Sequence, residues 1–127
     1  MKNRPFHERV GFAIEGWRTG WRREKSFRTQ VTMAGVALFA LIVLRPAPIW
    51  WALIVLVVAL ILALELINAA LEGVVDHLHP DIHPEIQAIK DMAAGAVLLL
   101  SLTSLVIGVA MVVDRGPAML AEWGFGR

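Results

Sequence analysis

The chain has 127 residues, of which 57% are hydrophobic, and its mean hydropathy is +0.64. A soluble domain of this length leaves too much of its surface in water to hide so many apolar side chains, so the composition indicates a membrane protein. The formal net charge of +1 implies no general attraction to nucleic acid, and the absence of cysteine excludes disulfides and thiol chemistry. The length predicts one domain, residues 1–127.

The N-terminal segment combines positive charge with an apolar stripe. Eight of the twelve Lys and Arg lie between residues 2 and 28, where the only acids are Glu8, Glu15 and Glu24. Hydrophobic side chains recur there at helical intervals: Phe6, Val10, Ala13, Trp17 and Trp21. This pattern predicts an amphipathic helix lying on the membrane surface, about residues 5–28. No small-residue cleavage site follows the next apolar run, so we expect no removable signal peptide.

Three uncharged runs follow, of 16, 19 and 22 residues: 29–44, 46–64 and 92–113. Crossing a bilayer takes about 20 apolar residues, and proline between the first two runs ends the first helix. We therefore predict spans at about residues 30–45, 49–75 and 88–113, with a tail over 114–127. The predicted fold is an all-α membrane protein with a surface helix and three transmembrane helices.

The distribution of basic residues predicts the topology. Cytoplasmic segments carry the excess of Lys and Arg, so the N-terminal segment is expected in the cytoplasm. Three spans then place the loop at residues 77–84 in the cytoplasm and the C-terminal tail outside. The basic helix, the end of the second span and the start of the third therefore share one face.

The second span carries a polar stripe made of Glu65, Asn68, Glu72 and Asp76. At about 100° per residue these four side chains fall within a wedge of about 80°. A carboxylate inside a bilayer costs about 3 kcal/mol or more, so each must face protein, water or a bound cation. A buried seam that only fixes helix packing is the alternative, but three acids without three intramembrane bases suit that role poorly.

Other polar residues surround the predicted cytoplasmic loop. Its three histidines, His77, His79 and His83, lack a closed zinc-ligand spacing, and contact with a substrate is the better interpretation. Lys90 and Asp91 begin the third span, and the small residues 93–96 after them allow close helix packing. The sequence has no P-loop, so any nucleotide would rely on carboxylates and Mg²⁺, which takes one or two protein carboxylates plus phosphate oxygens.

Three segments resemble the small bacterial membrane kinases of the diacylglycerol kinase and undecaprenol kinase family. Residues 65–76, ELINAALEGVVD, resemble its signature, residues 90–97, KDMAAGAV, its second block, and residues 24–28, EKSFR, its amphipathic-helix block. The resemblance covers about residues 6–113. It implies a homotrimer in the bacterial inner membrane, with active sites on the cytoplasmic side that transfer the ATP γ-phosphate to a lipid hydroxyl.

The resemblance also implies roles for individual residues. Glu65 matches the general base, and Glu24 and Glu72 match the carboxylates that hold Mg²⁺ on ATP. The other matched positions contact the nucleotide or line the site: Asn68, Asp76, His83, Lys90 and Asp91.

The expected reaction is phosphorylation of diacylglycerol to phosphatidic acid. Residues 93–96 and the proline after the loop histidine look closer to the undecaprenol kinases, so undecaprenol is the alternative substrate. A small proton-coupled transporter is the alternative from another class, since such proteins also carry intramembrane acids. Glu24 and the Lys90–Asp91 pair favour the kinase, because a proton site needs no further acids at the cytoplasmic face.

Overall fold

The computed structural model describes residues 2–81 and 83–124, and that part of the chain folds into four helices. They are α1 (Phe6–Arg23), α2 (Lys25–Leu44), α3 (Pro48–Leu78) and α4 (Pro84–Glu122). The last three are long and apolar enough to cross a membrane. The predicted all-α fold with three membrane-spanning helices is therefore confirmed. Loop residue 82 and tail residues 125–127 lie outside the described residues.

The chain bends at Glu24, inside the segment predicted as one surface helix. Glu24 has extended backbone angles, with φ −109° and ψ 108°, so residues 25–28 form the first turn of α2 instead of the end of α1. Arg28 stabilises the bend, because its Nη1 donates to the carbonyl oxygens of Trp21 at 2.7 Å and Arg22 at 3.2 Å. These carbonyls end α1 and have no partner within the helix, so the guanidinium supplies their hydrogen bonds.

The end of α1 packs closely against α3 at Gly20. A Cβ atom built at this buried glycine would lie 2.7 Å from Leu66 Cδ2 and 3.2 Å from Phe27 Cδ1. A larger residue would therefore require the Leu66 and Phe27 side chains to shift. This close approach matters for the site, because Leu66 directly follows Glu65 and Gly20 lies four residues before Glu24.

A tight connection joins α2 to α3 at the opposite end of the bundle. Arg45 ends α2 in the left-handed conformation with φ 46°, and Pro48 lies in the first turn of α3. The buried residues at this end, Leu41, Leu44, Ile54 and Met111, form an apolar cluster between α2, α3 and α4. Glu65 lies outside this cluster, nearer the end of the bundle where α1 packs.

Polar contacts enclose this apolar cluster. Arg115 Nε donates to the Leu44 carbonyl at 2.6 Å, and its Nη1 and Nη2 donate to the Glu122 carboxylate at 3.1 and 2.9 Å. Trp50 Nε1 donates to Asp114 Oδ2 at 2.9 Å. We call Trp50, Asp114, Arg115 and Glu122 the distal clasp. Residues 114–122 of the predicted tail thus continue α4.

Most of the apolar surface of the spans is uncovered in a single chain. In the most hydrophobic window of each span only 17%, 22% and 11% of the residues are buried inside the protein. The remainder is available to lipid or to further copies of the chain.

Candidate active site

The polar stripe on α3 runs from a buried end to an exposed end. Glu65 is only 6% exposed, Asn68 and Glu72 are half-buried, and Asp76 is exposed. Since α3 rises about 1.5 Å per residue, Glu65 and Asp76 lie about 16 Å apart along the helix axis. The stripe therefore links the water-accessible end of α3 to a position within the span.

Glu24 joins this stripe from another part of the chain. The bend between α1 and α2 brings Glu24 near Glu65, and the helical repeat of α3 brings Glu72 near it as well. Both charges therefore act on the Glu65 carboxyl. Within residues 2–81 and 83–124, Glu24, Glu65 and Glu72 form no salt bridge. Glu24 and Glu72 thus lie near Glu65, and among the described residues none of these three acids is directly paired with a base.

Asn68 lies one turn from Glu65 on the same face and has an unpaired oxygen. Its Oδ1 is buried and has no hydrogen-bond partner in the part of the chain that the structure describes. An unsatisfied buried acceptor costs about 1–3 kcal/mol, so a ligand, a water molecule or a second copy of the chain is expected to supply its partner. A cation or a hydroxyl donor would satisfy this oxygen.

A cleft of about 280 Å³ opens in front of Glu65, lined otherwise by α2 residues: Lys25, Ser26, Thr29 and Gln30. Gln30 and Glu65 both line this cleft, and Gln30 Nε2 donates to Ser101 Oγ at 3.3 Å. The sequence analysis missed both Gln30 and Lys25. Gln30 is an amide inside an otherwise uncharged apolar span, and that was the available signal.

Asp76 and Lys90 meet at the other end of the stripe. Lys90 Nζ lies 2.5 Å from Asp76 Oδ1 and joins the end of α3 to the first turns of α4. The Lys90 charge also reaches Glu72. Lys90, a predicted site residue, therefore lies at the solvent-facing part of the stripe, where its ammonium group can contact an anionic ligand.

The remaining predicted site residues make local contacts. His83 is the N-cap of α4, where its Nδ1 accepts a hydrogen bond from the Glu85 backbone N–H at 3.1 Å. Asp91 Oδ1 accepts from Gln87 Nε2 at 2.8 Å, one turn earlier on α4. His83 therefore has a structural role that the sequence analysis did not identify.

The donor set fits Mg²⁺ better than a metal held wholly by protein. Among the described residues, no three His, Asp or Glu side chains are grouped so that they could hold a metal ion. Mg²⁺ takes one or two carboxylates and completes its octahedral shell with water and phosphate oxygens. Glu24, Glu72 and Asn68 carry oxygen atoms of the type that Mg²⁺ prefers.

Comparison with known proteins finds relatives that are named as lipid kinases. Residues 11–112 match the family model described as prokaryotic diacylglycerol kinase. The undecaprenol kinase of Bacillus subtilis is 32% identical over 99 residues, which cover 78% of this chain and 80% of that protein. The diacylglycerol kinase of Escherichia coli K12 is 30% identical over 90 residues, which cover 71% and 74%. The diacylglycerol kinase of Synechocystis is 36% identical over 99 residues, which cover 76% of this chain and 56% of that protein.

These matches confirm the resemblance found in the sequence and the prediction of a lipid kinase. The match with the family model includes α2, α3, the Glu65–Asp76 stripe and the start of α4. The chain therefore belongs to the prokaryotic diacylglycerol kinase family.

Proposed function

We propose that the protein transfers the γ-phosphate of ATP to the hydroxyl group of a membrane lipid alcohol, with Glu65 as the general base. The observation that carries this proposal is the position of Glu65. Glu65 is the buried end of the polar stripe on α3, and it lines a cleft within a membrane span. A lipid alcohol can reach this depth, while a nucleotide arrives at the exposed end near Asp76 and Lys90.

The reaction needs one proton acceptor at the lipid hydroxyl. As the hydroxyl oxygen forms a bond to the γ-phosphorus, the bond from that phosphorus to the bridging oxygen breaks and ADP leaves. The hydroxyl proton passes to the Glu65 carboxylate. Phosphoryl transfer otherwise depends on positioning and on neutralising phosphate charge, so the chain needs no covalent nucleophile.

Glu24 and Glu72 would hold Mg²⁺, with the Asn68 oxygen as a further acceptor beside them. When bound, Mg²⁺ supplies charge neutralisation on the phosphates. The two carboxylates belong to the cluster that acts on Glu65, so binding a cation there would relieve the repulsion among the acids.

Lys90 is the proposed phosphate contact among the nucleotide-binding residues. Asp76 holds its ammonium group at the open end of the stripe, where it can meet an anionic ligand. Asn68, Asp76, His83 and Asp91 complete the proposed ATP site. For His83, capping leaves Nε2 as the ring nitrogen available to a ligand, since Nδ1 accepts from Glu85.

Diacylglycerol is the proposed substrate, and phosphatidic acid is the product. Undecaprenol is the second candidate, because an undecaprenol kinase is among the similar relatives and residues 93–96 resemble that group. Both are membrane alcohols, so the same base and the same phosphate site serve either one.

We also propose a homotrimer in the bacterial inner membrane, with the active site on the cytoplasmic side. The uncovered apolar surface of the spans and the basic segment before residue 28 support this arrangement. Reporter fusions should place the N-terminus and the loop at residues 77–84 together in the cytoplasm, and cross-linking in the membrane should stop at three copies. A periplasmic loop would contradict the proposed topology, while a different limiting copy number would contradict the trimer.

The decisive experiment measures phosphate transfer in detergent micelles. Purified protein receives ATP labelled in the γ-phosphate, Mg²⁺ and either diacylglycerol or undecaprenol, and labelled lipid is extracted. We expect labelled lipid with at least one alcohol and ADP release that depends on it. Proton flux in vesicles without ATP, together with no labelled lipid, would instead indicate the transporter.

A further inference from the structure

We propose that Gln30 is a positioning residue that aims the Glu65 carboxylate at the lipid hydroxyl, and that Ser101 holds Gln30 in place. This inference rests on the proposed function, because it gives Gln30 its role through the base. Gln30, Glu65 and Ser101 belong to α2, α3 and α4, so residues from all three spans meet near the proposed reacting group.

The geometry brings together residues that are far apart in the chain. Gln30 and Glu65 line the same cleft. Gln30 Nε2 donates to Ser101 Oγ at 3.3 Å across a separation of 71 residues. Gln30 and Ser101 are both half-buried, whereas Glu65 is buried. The Gln30 amide therefore shares a cleft with the base on α3 and is bonded to a hydroxyl on α4.

The amide group suits this position chemically. Its nitrogen carries two N–H donors, so one can bond Ser101 while the other bonds the carboxylate. Gln30 cannot take up the reaction proton as a second acid would. A carboxylate oxygen engaged by Gln30 leaves the other oxygen free to face the lipid hydroxyl, and the rotation of the Glu65 side chain is restricted.

The position of a general base affects the rate of proton transfer more than it affects the affinity for substrate. A base must lie within hydrogen-bonding distance of the proton it accepts, and a shift of about 1 Å at a reacting group can cost about 100-fold in rate. Inside a membrane span a hydrogen bond is also stronger than in water, because the dielectric is low. Loss of Gln30 should therefore lower kcat and leave the KM for ATP unchanged.

The test uses volume-matched substitutions at both ends of the contact. Gln30→Met keeps the length of the side chain and removes the donor, and Ser101→Ala removes the anchor. Ser101→Thr keeps a hydroxyl and should restore activity. Thr103→Ala is the control, since Thr103 Oγ1 donates to the Leu99 carbonyl of its own helix at 2.9 Å.

We expect Gln30→Met to lower kcat by about 10- to 150-fold, the range that corresponds to one hydrogen bond to a charged group. Ser101→Ala should have a smaller effect in the same direction, and Thr103→Ala should match the wild type. Because Gln30 acts through Glu65, Gln30→Met should cause no further loss in a Glu65→Gln background. A residue that only packs would lower activity equally in both backgrounds.

The wild type and Glu65→Gln are measured beside these variants. Lipid phosphorylation by the wild type that is lost in Glu65→Gln supports the proposed function. If Gln30→Met then keeps wild-type kcat, or loses activity only through a raised KM for ATP, the inference about Gln30 is overturned while the function stands. An inactive wild type, or a fully active Glu65→Gln, overturns the proposed function and the inference with it.

Discussion

Two polar clusters lie at opposite ends of the helical bundle, and they differ in how their groups are paired. In the distal clasp, Trp50 bonds Asp114, while Arg115 bonds both Glu122 and the Leu44 carbonyl. Around Glu65, the neighbouring acids Glu24 and Glu72 form no salt bridge among the described residues, and an Asn68 oxygen has no partner there.

The pairing indicates what each cluster is for. Hydrogen bonds that satisfy both partners join helices and contribute to stability, whereas unsatisfied acids and acceptors cost free energy until a ligand arrives. The region that matches the family ends at residue 112, so Asp114, Arg115 and Glu122 lie beyond it, while Glu24, Glu65, Asn68 and Glu72 lie within it. The comparison predicts that changes near Glu65 reduce activity and that changes in the clasp reduce stability.

Glu65→Gln should have the largest effect. It keeps the shape of the side chain but cannot accept a proton, so kcat should fall by the ~10²–10⁴-fold that a general base contributes. Nucleotide binding and the oligomer should remain. Glu85→Gln, an exposed change in the first turn of α4, is the matched control. Near-normal lipid phosphorylation by Glu65→Gln would exclude Glu65 as the base.

Glu24→Gln and Glu72→Gln should raise the Mg²⁺ concentration needed for half-maximal activity. Each removes a proposed ligand, so the change should reach at least the ~10- to 100-fold that loss of a residue supporting a ligand costs. The measurement is activity against Mg²⁺ at saturating lipid. Glu15→Gln is the control, because Glu15 is exposed on α1 and pairs with Arg18. Unchanged Mg²⁺ dependence in both variants would contradict the assignment.

Arg115→Met tests the prediction that changes in the distal clasp reduce stability. It leaves the part-buried Leu44 carbonyl without its donor, which should lower the free energy of unfolding by about 1–3 kcal/mol, while the exposed Glu122 carboxylate is solvated by water. Thermal unfolding in detergent measures this loss, while kcat per folded protein should stay constant. The control is Arg18→Met, which breaks an exposed pair with Glu15 worth about 0–1 kcal/mol. A large fall in kcat without a fall in stability would give the clasp a catalytic role.

Trp50→Phe should have the smallest effect. It removes the donor to Asp114 and keeps most of the ring, so the expected loss of stability is about 0.5–1.5 kcal/mol. Trp51→Phe makes the same chemical change at a neighbouring ring that packs against the apolar cluster. Equal unfolding midpoints for the two variants would show that the Trp50–Asp114 bond contributes nothing.

The tertiary structure alone revealed the bend at Glu24, the contact between Gln30 and Ser101, and the distal clasp. Each depends on residues that meet only after the helices pack, and no local pattern identifies which helices will be neighbours. The close approach at Gly20 is of the same kind, since it depends on Leu66 of α3. His83 shows a further limit, because its role as an N-cap becomes visible only when the start of α4 is known.

The sequence by itself determined the three spans and the polar stripe. A span requires about 20 apolar residues in a row, and that count needs no knowledge of other helices. The face shared by Glu65, Asn68, Glu72 and Asp76 follows from the helical repeat, which is equally local. The family also followed from the sequence, because its segments are short continuous stretches. The tertiary structure decided how Glu24 and Gln30 reach Glu65, since packing between distant segments sets those positions.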